Sequence, residues 1–246
     1  MKPEVSIITV AYNSEKTIAQ TIESVLNQTV APLEYLIIDG VSKDKTLEIV
    51  EGYRGAFEAK NIDYRVISEP DNGFYDAMNI GISMAKGDFN GMINSDDWYE
   101  NNVIERVKQL YQEHKFAYCF SNIRMYKPDE TTFIKKAKDG KIASSRGWNH
   151  PTSFVSKEIY KQFKYACESL HDDFDFFLKV KKRGYSIYIA DEVWANFRMN
   201  GVSHEKSLKR TKQRIKARYS IYRKNGYSRL YILECLGIEA VKWIVG

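Results

Sequence analysis

The sequence predicts an α/β fold with a Rossmann-like, mostly parallel central sheet flanked by helices. Over about the first 100 residues, short apolar runs rich in β-branched residues alternate with segments whose apolar residues recur at helical spacing. No Gly-x-Gly-x-x-Gly fingerprint follows the first apolar run, and no Gly-Lys-Ser/Thr phosphate loop occurs. A ligand of this sheet is therefore expected to be held by something other than a glycine-rich loop.

The first half of the chain predicts four strands separated by three helices. Residues 5–11 form a continuous apolar run, which is typical of a strand buried on both faces of a parallel sheet. Ile18, Ile22 and Val25 then recur at the spacing of one helix face. The other predicted elements are strands at 35–39, 64–68 and 89–93 and helices at 44–60 and 74–85.

The second half has weaker periodicity and ends in helices. The predicted elements are strands near 117–126, 152–156 and 186–190 and helices at 101–114, 172–183, 205–224 and 229–245. The last helix has an apolar side formed by Leu230, Leu233, Leu236, Val241 and Ile244.

The net charge of +5 is concentrated near the C-terminus. Residues 204–246 contain 11 Lys/Arg and 3 Asp/Glu, whereas the rest of the chain contains 26 and 29. This contrast divides the chain into a main domain at 1–203, with halves at 1–97 and 98–203, and a basic amphipathic helical tail at 204–246. A solvated face, contact with an anionic membrane and a homodimer interface all stay open for the tail. Nucleic-acid binding is not expected, because no recognised motif or aromatic stacking platform occurs.

The N-terminal sequence and the cysteines favour a cytoplasmic protein. Met-Lys-Pro-Glu-Val leads into the first strand without the apolar run and cleavage site of a signal peptide. No run of about 18 uncharged apolar residues occurs, as a membrane-spanning helix would need. The three cysteines are far apart, which predicts neither a disulfide framework nor a zinc site. Because the basic tail could contact a membrane, a location at the inner face of the cytoplasmic membrane stays open as well.

Polar residues follow the predicted strands at the ends where parallel sheets bind ligands. In such sheets the ligand lies outside the carboxyl ends of the strands. The segments at these ends are 11–13, 39–40, 69–70 and 94–97, and three of the four carry a carboxylate. An acidic crevice that binds an anionic ligand needs a cation between the two.

Five short motifs follow one another along the chain. They are Ser6-Ile-Ile-Thr-Val-Ala-Tyr-Asn13, Asp39-Gly-x-Ser-x-Asp-x-Thr46, Glu69-Pro-Asp-Asn-Gly-x-Tyr-Asp-Ala-Met-Asn79, Asn94-Ser-Asp-Asp97 and Asp172-Asp-x-Asp-Phe-Phe-Leu178. Together they resemble glycosyltransferase family 2, which has the GT-A fold, and in particular its bacterial exopolysaccharide-type branch. The resemblance extends over residues 3–203.

The resemblance implies a nucleotide sugar as donor and Mn²⁺ or Mg²⁺ as cofactor. Hard carboxylate oxygens suit these ions, which neutralise a leaving diphosphate and act as Lewis acids. By the resemblance Asp97 is the expected metal ligand, and Asp96 is expected to bind the metal or the ribose. The alternative for this acidic pair is a helix cap ahead of an apolar run.

The same resemblance assigns the base of the donor to the ends of the first two strands. Asp39 matches the acid that accepts from N3–H of uracil, and Tyr12 is expected against the base, with Ala11 and Asn13 beside it. A UDP-sugar is favoured, although N1–H and N2–H₂ of guanine are also donors. The alternatives are a turn residue before Gly40 for Asp39 and simple packing for Tyr12.

Four further residues have candidate roles in the pocket. Asp76 and Asn79 share one helix face and are expected to line the sugar-nucleotide pocket, with a tie between loops as the alternative for Asn79. His150 is expected near the acceptor or the diphosphate, with a structural histidine as the alternative. Arg198 is a candidate bidentate cation for the diphosphate, with a surface salt bridge as the alternative.

Asp172 and Asp173 open the helix predicted at 172–183. The resemblance places the catalytic base at Asp173, with Asp172 near the acceptor or diphosphate; the alternative is stabilisation of the helix dipole. A single displacement with one base predicts inversion at the anomeric carbon. The expected activity is metal-dependent inverting hexosyl transfer to a hydroxyl of a glycan or lipid-linked acceptor in surface-polysaccharide synthesis. A nucleotide-sugar-binding inactive relative and a sugar nucleotidyltransferase are the alternatives.

Overall fold

The computed structural model describes residues 2–140, 143–199 and 207–245. The strands of these residues form one mixed sheet. They are β1 (Val5–Ala11), β2 (Glu34–Asp39), β3 (Asp63–Ser68), β4 (Phe89–Met92), β5 (Trp98–Tyr99), β6 (Tyr118–Tyr126), β7 (Thr132–Lys135), β8 (Phe154–Ser156) and β9 (Ile187–Arg198).

Helices follow most of these strands and pack on the sheet. They are α1 (Ile18–Leu26), α2 (Thr46–Gly52), α3 (Arg54–Ala59), α4 (Phe74–Met84), α5 (Val103–His114), α6 (Lys157–Gln162), α7 (Asp172–Lys182), α8 (Leu208–Lys224) and α9 (Tyr231–Val245), with a short 3₁₀ turn at His150–Thr152.

Four strands of the N-terminal half form the parallel part of the sheet. The strand order is β3-β2-β1-β4-β8-β6-β9-β5, and β7 pairs with β6. β1 pairs in parallel with both β2 and β4, and β2 pairs in parallel with β3. β8 is antiparallel to β4 and β6, whereas β6 and β9 run parallel. The predicted α/β fold with a mostly parallel central sheet is confirmed.

The position of β1 at the centre of the sheet explains its uninterrupted apolar sequence. Side chains of a strand alternate between the two faces of a sheet. Ile7 and Ile8 are both buried, and they belong to two separate hydrophobic clusters. Ile7 shares its cluster with Ile22 of α1, and Ile8 shares the other with Met78 of α4. Both faces of β1 are therefore covered by helices, so neither face tolerates a charged residue.

Several predicted boundaries differ from the structure for local reasons. The helix predicted at 44–60 is divided into α2 and α3, because Tyr53 ends one helix and caps the next. The strand predicted at 186–190 continues as β9 past the exposed Asp191, because β6 stays paired with it through register shifts. The sequence pattern did not predict β5, β7 or α6, which have only two, four and six residues.

The two tail helices form an antiparallel hairpin packed on the main domain. Arg214 and Arg218 of α8 pair with Glu239 of α9 at 2.7 and 3.3 Å, and all three side chains are buried. Tyr222 of α8 and Cys235 of α9 lie in the same hydrophobic cluster as the buried residues of α7. The hairpin thus shares part of its core with the helix that carries the acidic pair at 172–173.

Part of the predicted tail cannot be compared with the structure. The division after residue 203, and residues 205–206 of the predicted basic helix, lie outside the described residues, as does the side chain of Ile244. Within the described ranges, none of the helices combines the length and apolar composition that a membrane crossing requires.

Gly81 allows α4 to lie directly against β1 and β2. A Cβ at this position would lie 2.6 Å from Cγ2 of Ile8 and 3.2 Å from Cγ1 of Ile38, which are buried β-branched side chains. Gly81→Ala is therefore expected to lower the free energy of unfolding by about 1–3 kcal/mol, as measured by urea denaturation.

Gly55→Ala is the matched control for this prediction. Gly55 lies in α3, and a Cβ there would meet no atom within 4 Å. Alanine at an open helical position should raise the free energy of unfolding by about 0.5–1 kcal/mol. A Gly81→Ala variant as stable as the wild type would contradict the close packing of α4.

Candidate active site

The carboxyl ends of the parallel strands meet at one edge of the sheet. The register pairs Ala11 with Asp39 and Asp39 with Ser68, so the ends of β1, β2 and β3 are level. β4 adjoins β1 on the other side, where Ile8 pairs with Met92. The loops after β1, β2 and β4 therefore share the edge at which parallel sheets bind ligands.

The loop after β1 is fixed to the loop after β2 and presents an aromatic ring. Asn13 has a left-handed backbone with φ of 51°, and its N–H donates to Oγ of Ser42 at 2.8 Å. Its Oδ1 accepts from the backbone of the same loop at 2.8 Å. Tyr12 is 64% exposed, and its ring would lie 3.4 Å from a Cβ at Gly40. The ring is therefore available to a planar ligand at this edge.

Asp39 is buried at the end of β2 and accepts three hydrogen bonds. Oδ2 accepts from the N–H of Ser42 at 3.0 Å and the hydroxyl of Ser68 at 2.7 Å, and Oδ1 accepts from the Ser42 hydroxyl. Ala11 is buried beside it, and its carbonyl accepts from the N–H of Gly40. A carboxylate oxygen accepts more than one hydrogen bond, so Oδ1 keeps capacity for a further donor.

Asp76 and Asn79 of α4 both contact loops of the protein. Oδ2 of Asp76 accepts from the backbone and side-chain N–H groups of Asn72, each at 3.0 Å, and so closes the turn before the helix. Nδ2 of Asn79 donates to the carbonyl of Tyr165 at 2.9 Å, and its Oδ1 accepts from the N–H of Tyr165 at 3.1 Å. Asn79 thus fastens the loop before α7 to α4.

Asp96, Asp97 and Arg198 form the corner of the site beyond β4. Asp97 is fully buried; its Oδ1 accepts from the N–H of Arg198 at 3.2 Å and its Oδ2 from Nδ2 of Asn94 at 3.3 Å. The Arg198 guanidinium donates to the carbonyl of Asp96 and to Oε1 of Gln20. The corner therefore joins the end of β4 to the end of β9.

The ionised forms of the two carboxyl groups at this corner are electrostatically unfavourable. Burial raises the pKa of Asp97 well above its usual range, and the charge of Asp96 raises it further. Burial also raises the pKa of Asp96, although the nearby Arg198 acts in the opposite direction. A cation would offset this effect, because a positive charge favours the ionised form of both acids.

The donor set of this corner fits a hard divalent cation. Two adjacent carboxylates supply the oxygen ligands that Mg²⁺ and Mn²⁺ prefer. Within the described residues, no group of three or more His, Cys, Asp or Glu could hold a metal by itself. An ion at Asp96 and Asp97 would therefore need further oxygens from its ligand or from water.

Asp173, in the first turn of α7, is held by a tyrosine from α4. Its Oδ1 accepts from the hydroxyl of Tyr75 at 2.8 Å and from the N–H of Phe174 at 2.8 Å. Burial raises the pKa of Tyr75 well above its usual range and the charge of Asp173 raises it further, so this hydroxyl keeps its proton. Both donors reach the same oxygen, and Oδ2 has no donor among the described residues.

His150 lies near this carboxylate. Its Nε2 is 3.2 Å from the hydroxyl of Tyr165, whose ring stacks on that of Tyr75 with 5.4 Å between the centroids. Burial lowers the pKa of His150, while the charge of Asp173 acts in the opposite direction. The Tyr165 hydroxyl also reaches Sδ of Met92 at 3.7 Å. Two tyrosines therefore connect the surroundings of Asp173 to the end of β4.

Asp172 has different surroundings from its neighbour. It is buried, and its Oδ2 accepts from the N–H groups of Glu168 at 2.5 Å and Ser169 at 3.1 Å. Burial raises the pKa of Asp172 in spite of these two donors. One turn further along α7, Asp175 accepts from Nδ2 of Asn225 at 2.6 Å. Asp172 thus closes the turn before α7, and Asp175 joins α7 to the end of α8.

Several side chains that hold site residues lie outside the set that the sequence predicts, and Tyr75, Ser42 and Gln20 are examples. Tyr75 and Ser42 stand within two of the five motifs, so the motifs contain a signal for both. Gln20 contacts Arg198 from 178 positions away along the chain. No local pattern could have identified that contact.

The comparisons with known proteins agree on one family. The model of the family described as Glycosyl transferase family 2 matches residues 6–173. The putative teichuronic acid biosynthesis glycosyltransferase TuaG of Bacillus subtilis is 25% identical over 219 residues, which cover 83% of each chain. Two longer relatives, a chondroitin synthase and a hyaluronan synthase of Pasteurella multocida, are each 29% identical over 200 residues, and the chain spans only 19% of their length.

Solved structures confirm the GT-A type of fold. The structure of S. aureus TarS 1-349 in complex with UDP-GlcNAc matches with a TM-score of 0.72 and 18% identity, over 95% of this chain and 70% of that one. The mannosyltransferase PcManGT from Pyrobaculum calidifontis, in complex with GDP-Man and Mn²⁺, matches with a TM-score of 0.66 and 16% identity, over 91% and 64% of the two chains.

Asp97→Asn is expected to stabilise the chain in the absence of metal. An acid whose pKa is raised by folding loses stability as the pH rises above its unfolded value, because the unfolded chain releases a proton that the folded chain retains. In chelator at pH 7, the variant should gain about 1 kcal/mol or more in the free energy of unfolding. Its stability should also fall less steeply between about pH 4 and pH 7 in urea denaturation.

Asp39→Asn is the control for this measurement. The three donors to the Asp39 carboxylate would meet an amide with half its acceptor capacity, so this variant should be less stable than the wild type. Equal or lower stability of Asp97→Asn at pH 7 would show that burial of the Asp97 charge is not costly.

Proposed function

Because the chain belongs to glycosyltransferase family 2, we propose that it transfers a sugar from a nucleoside-diphosphate sugar to a hydroxyl of a glycan or lipid-linked acceptor in surface-polysaccharide synthesis. The reaction is an inverting hexosyl transfer, and a UDP-sugar is the favoured donor. The observation that carries the proposal is the buried Asp97 at the end of β4, with the cation of Arg198 beside it. The backbone N–H of Arg198 donates to Asp97, and its guanidinium donates to the carbonyl of Asp96, so a carboxylate and a guanidinium share one corner of the site. This arrangement suits a ligand that brings both a metal ion and a diphosphate.

The nucleoside would bind at the ends of β1 and β2. Tyr12 offers an exposed ring for the base, and Asp39 offers Oδ1 as an acceptor for a ring N–H. Ala11 and Asn13 would flank the base, and Asp76 would reach the donor with the oxygen that Asn72 does not use. The TarS complex with UDP-GlcNAc favours uracil. The PcManGT complex with GDP-Man keeps guanine as the second candidate.

The diphosphate would bind at the corner formed by Asp96, Asp97 and Arg198. Asp97 would ligate Mn²⁺ or Mg²⁺, with Asp96 as a second ligand or a partner of the ribose. The ion would neutralise charge on the leaving diphosphate and act as a Lewis acid. Mn²⁺ in the PcManGT complex supports the choice of a divalent cation. Arg198 would orient the diphosphate through its guanidinium.

Asp173 would act as the general base. Tyr75 and Phe174 fix one carboxylate oxygen, so Oδ2 would take the proton of the acceptor hydroxyl. The hydroxyl oxygen would attack the anomeric carbon while the bond from that carbon to the diphosphate breaks. One displacement of this kind inverts the configuration, and no covalent enzyme intermediate forms.

The remaining candidate residues would contact the substrates or position the loops around them. His150 would contact the acceptor or the diphosphate, since it lies near Asp173 and is kept largely neutral by burial. Asp172 would help to place the acceptor by holding the turn before α7, and Asn79 would hold the neighbouring loop. The expected location is the cytoplasm, in keeping with three cysteines that are all free thiols.

A donor panel tests the proposed reaction. With Mn²⁺, the wild-type chain is expected to release nucleoside diphosphate from UDP-sugars faster than from GDP- or dTDP-sugars, as measured by a coupled assay for the released diphosphate. Chelation or Asp97→Asn should lower the rate by about 100-fold or more. Asp63 is the first residue of β3, so it lies at the amino ends of the parallel strands, away from the site. The control variant Asp63→Asn should leave the rate unchanged.

The outcomes separate the alternatives. Rates unaffected by chelation and by Asp97→Asn would remove the metal from the proposal. Faster turnover of GDP-sugars would overturn the preference for uracil. Tight binding of a donor by the wild type without turnover, with any acceptor offered, would favour the inactive relative that only holds a nucleotide sugar.

Asp173→Asn is expected to lower kcat by roughly 100-fold to 10,000-fold while the KM for the donor stays close to that of the wild type. The amide cannot take the proton of the acceptor, but it preserves the shape of the side chain. Tyr75→Phe removes one of the two donors to Asp173 and should lower kcat by about 10-fold. Wild-type kcat in Asp173→Asn would place the base elsewhere. The expected inversion converts an α-linked donor to a β-linked product, so an α-linked product from an α-linked donor would exclude single displacement.

A further inference from the structure

One face of α9 and the turn before it are apolar and open to solvent. Leu230, Leu233, Leu236 and Trp243 are 70, 65, 47 and 44% exposed. These residues recur at intervals of three and seven, which places them on one helix face together with the exposed Gly237 and Ala240. We call these six residues the α9 stripe. Among the side chains of α9 that the structure describes, none on this face is charged. Large exposed apolar surfaces of this kind mark binding sites.

The other helix of the hairpin exposes a row of positive charges. Lys209, Lys212 and Lys216 of α8 are exposed, and their spacing of three and four places them on one helix face. We call them the α8 row. The opposite face of α8 is buried through Arg214 and Arg218. The helix therefore turns one set of basic residues inward and another outward.

The acids of the hairpin are engaged in contacts within the protein. Glu234 and Glu239 are the two acidic residues at 207–245. Glu239 is buried against Arg214 and Arg218, and Glu234 accepts from the hydroxyls of Ser144 and Tyr222. The exposed charge of the hairpin is consequently positive, although two acids lie in its sequence.

The two surfaces meet at one end of the hairpin. Nε1 of Trp243 donates to Oγ1 of Thr211 at 3.2 Å, which brings the last residue of the α9 stripe to the first turn of α8. Lys212 directly follows Thr211, and Leu208, which is 72% exposed, lies one turn before it at the start of the helix. Exposed apolar and cationic residues therefore occur together at this end of the hairpin.

We propose that the α8–α9 hairpin docks on the anionic surface of a lipid bilayer, with the α9 stripe at the boundary of headgroups and acyl chains and the α8 row on the anionic headgroups. Trp and Leu suit that boundary, and Lys residues gain from the negative surface potential. A second copy of the chain fits less well. A two-fold contact pairs a surface with itself, so the α8 row would approach another positive row without acids to neutralise it.

Vesicle flotation with the full chain tests this proposal independently of the sugar-transfer reaction. The wild type is expected to float with vesicles of phosphatidylcholine containing about 30% phosphatidylglycerol, and binding should weaken as salt increases. Replacing the α8 row by Lys209→Gln, Lys212→Gln and Lys216→Gln should lower the partition coefficient by roughly 100-fold, at about 5-fold per charge. Leu233→Ser with Leu236→Ser should lower it by about 10-fold or more.

Matched variants away from the hairpin control for charge and for apolar area. Lys2→Gln, Lys60→Gln and Lys157→Gln remove the same number of exposed lysines, and Leu33→Ser with Ile134→Ser removes two exposed apolar side chains. Both controls should float like the wild type, and all variants should remain folded at the temperature of the flotation assay.

Three outcomes would overturn the proposal. The first is a wild-type chain that stays unbound on anionic vesicles. The second is equal binding to vesicles of phosphatidylcholine alone, without an effect of the α8 row. The third is a wild-type dimer in sedimentation that Leu233→Ser with Leu236→Ser converts to a monomer without a change in flotation, which would assign the stripe to a second copy.

Discussion

The parallel pairing of β1 with β2 on one side and β4 on the other determines where the polar loops of this protein lie. Three strands that run in the same direction end at the same edge, so the residues that follow them are neighbours without being close in sequence. The helices on both faces keep β1 dry and rigid, and Gly81 lets α4 approach it closely. The strand ends that carry these loops are therefore held in place by the core beneath them.

This rigidity allows the protein to hold a carboxylate in an unfavourable place. Asp97 is buried next to another acid, and the hydrogen bonds to its oxygens are long. Buried charges are normally paired or coordinate a metal. Asp39 is equally buried but has three donors, so the two acids differ in what they still need from a ligand. Asp39 has capacity for a single further donor, whereas a positive charge would stabilise the ionised form of Asp97.

Much of the N-terminal half follows from local sequence, because β1 to β4 and their helices have clear periodicity. The strand-end positions of Asp39 and the Asp96–Asp97 pair also follow, since they come directly after those strands. The hydrogen bond from Tyr75 to Asp173 joins residues that are 98 positions apart in the sequence. The hydrogen bond from Arg198 to Asp97 joins residues that are 101 positions apart. Such contacts arise from tertiary packing, so they had to be read from the structure.

The length of β9 illustrates the same limit. Asp191 and Glu192 interrupt its apolar pattern and indicate a loop, but pairing with β6 continues through an irregular register. Glu192 forms a salt bridge with Arg106 of α5 at 2.6 Å and accepts a hydrogen bond from the indole N–H of Trp194. Only this extension brings Arg198 to the site. A strand that ended where its hydrophobic pattern ends would have left Asp97 without its backbone donor.

The hydrogen bond between Asp175 and Asn225 connects the tail hairpin to the helix that carries the proposed base. Asp175 lies in α7, two residues after the proposed base Asp173, and Asn225 lies at the end of α8. The bond therefore ties α7 to the hairpin close to the base. A hairpin lying on a bilayer would consequently fix the tilt of α7 against the plane of the lipid. The angle and height at which an acceptor anchored in that lipid meets the base would then be set by the same contact, so the orientation of the whole enzyme would become part of its selectivity.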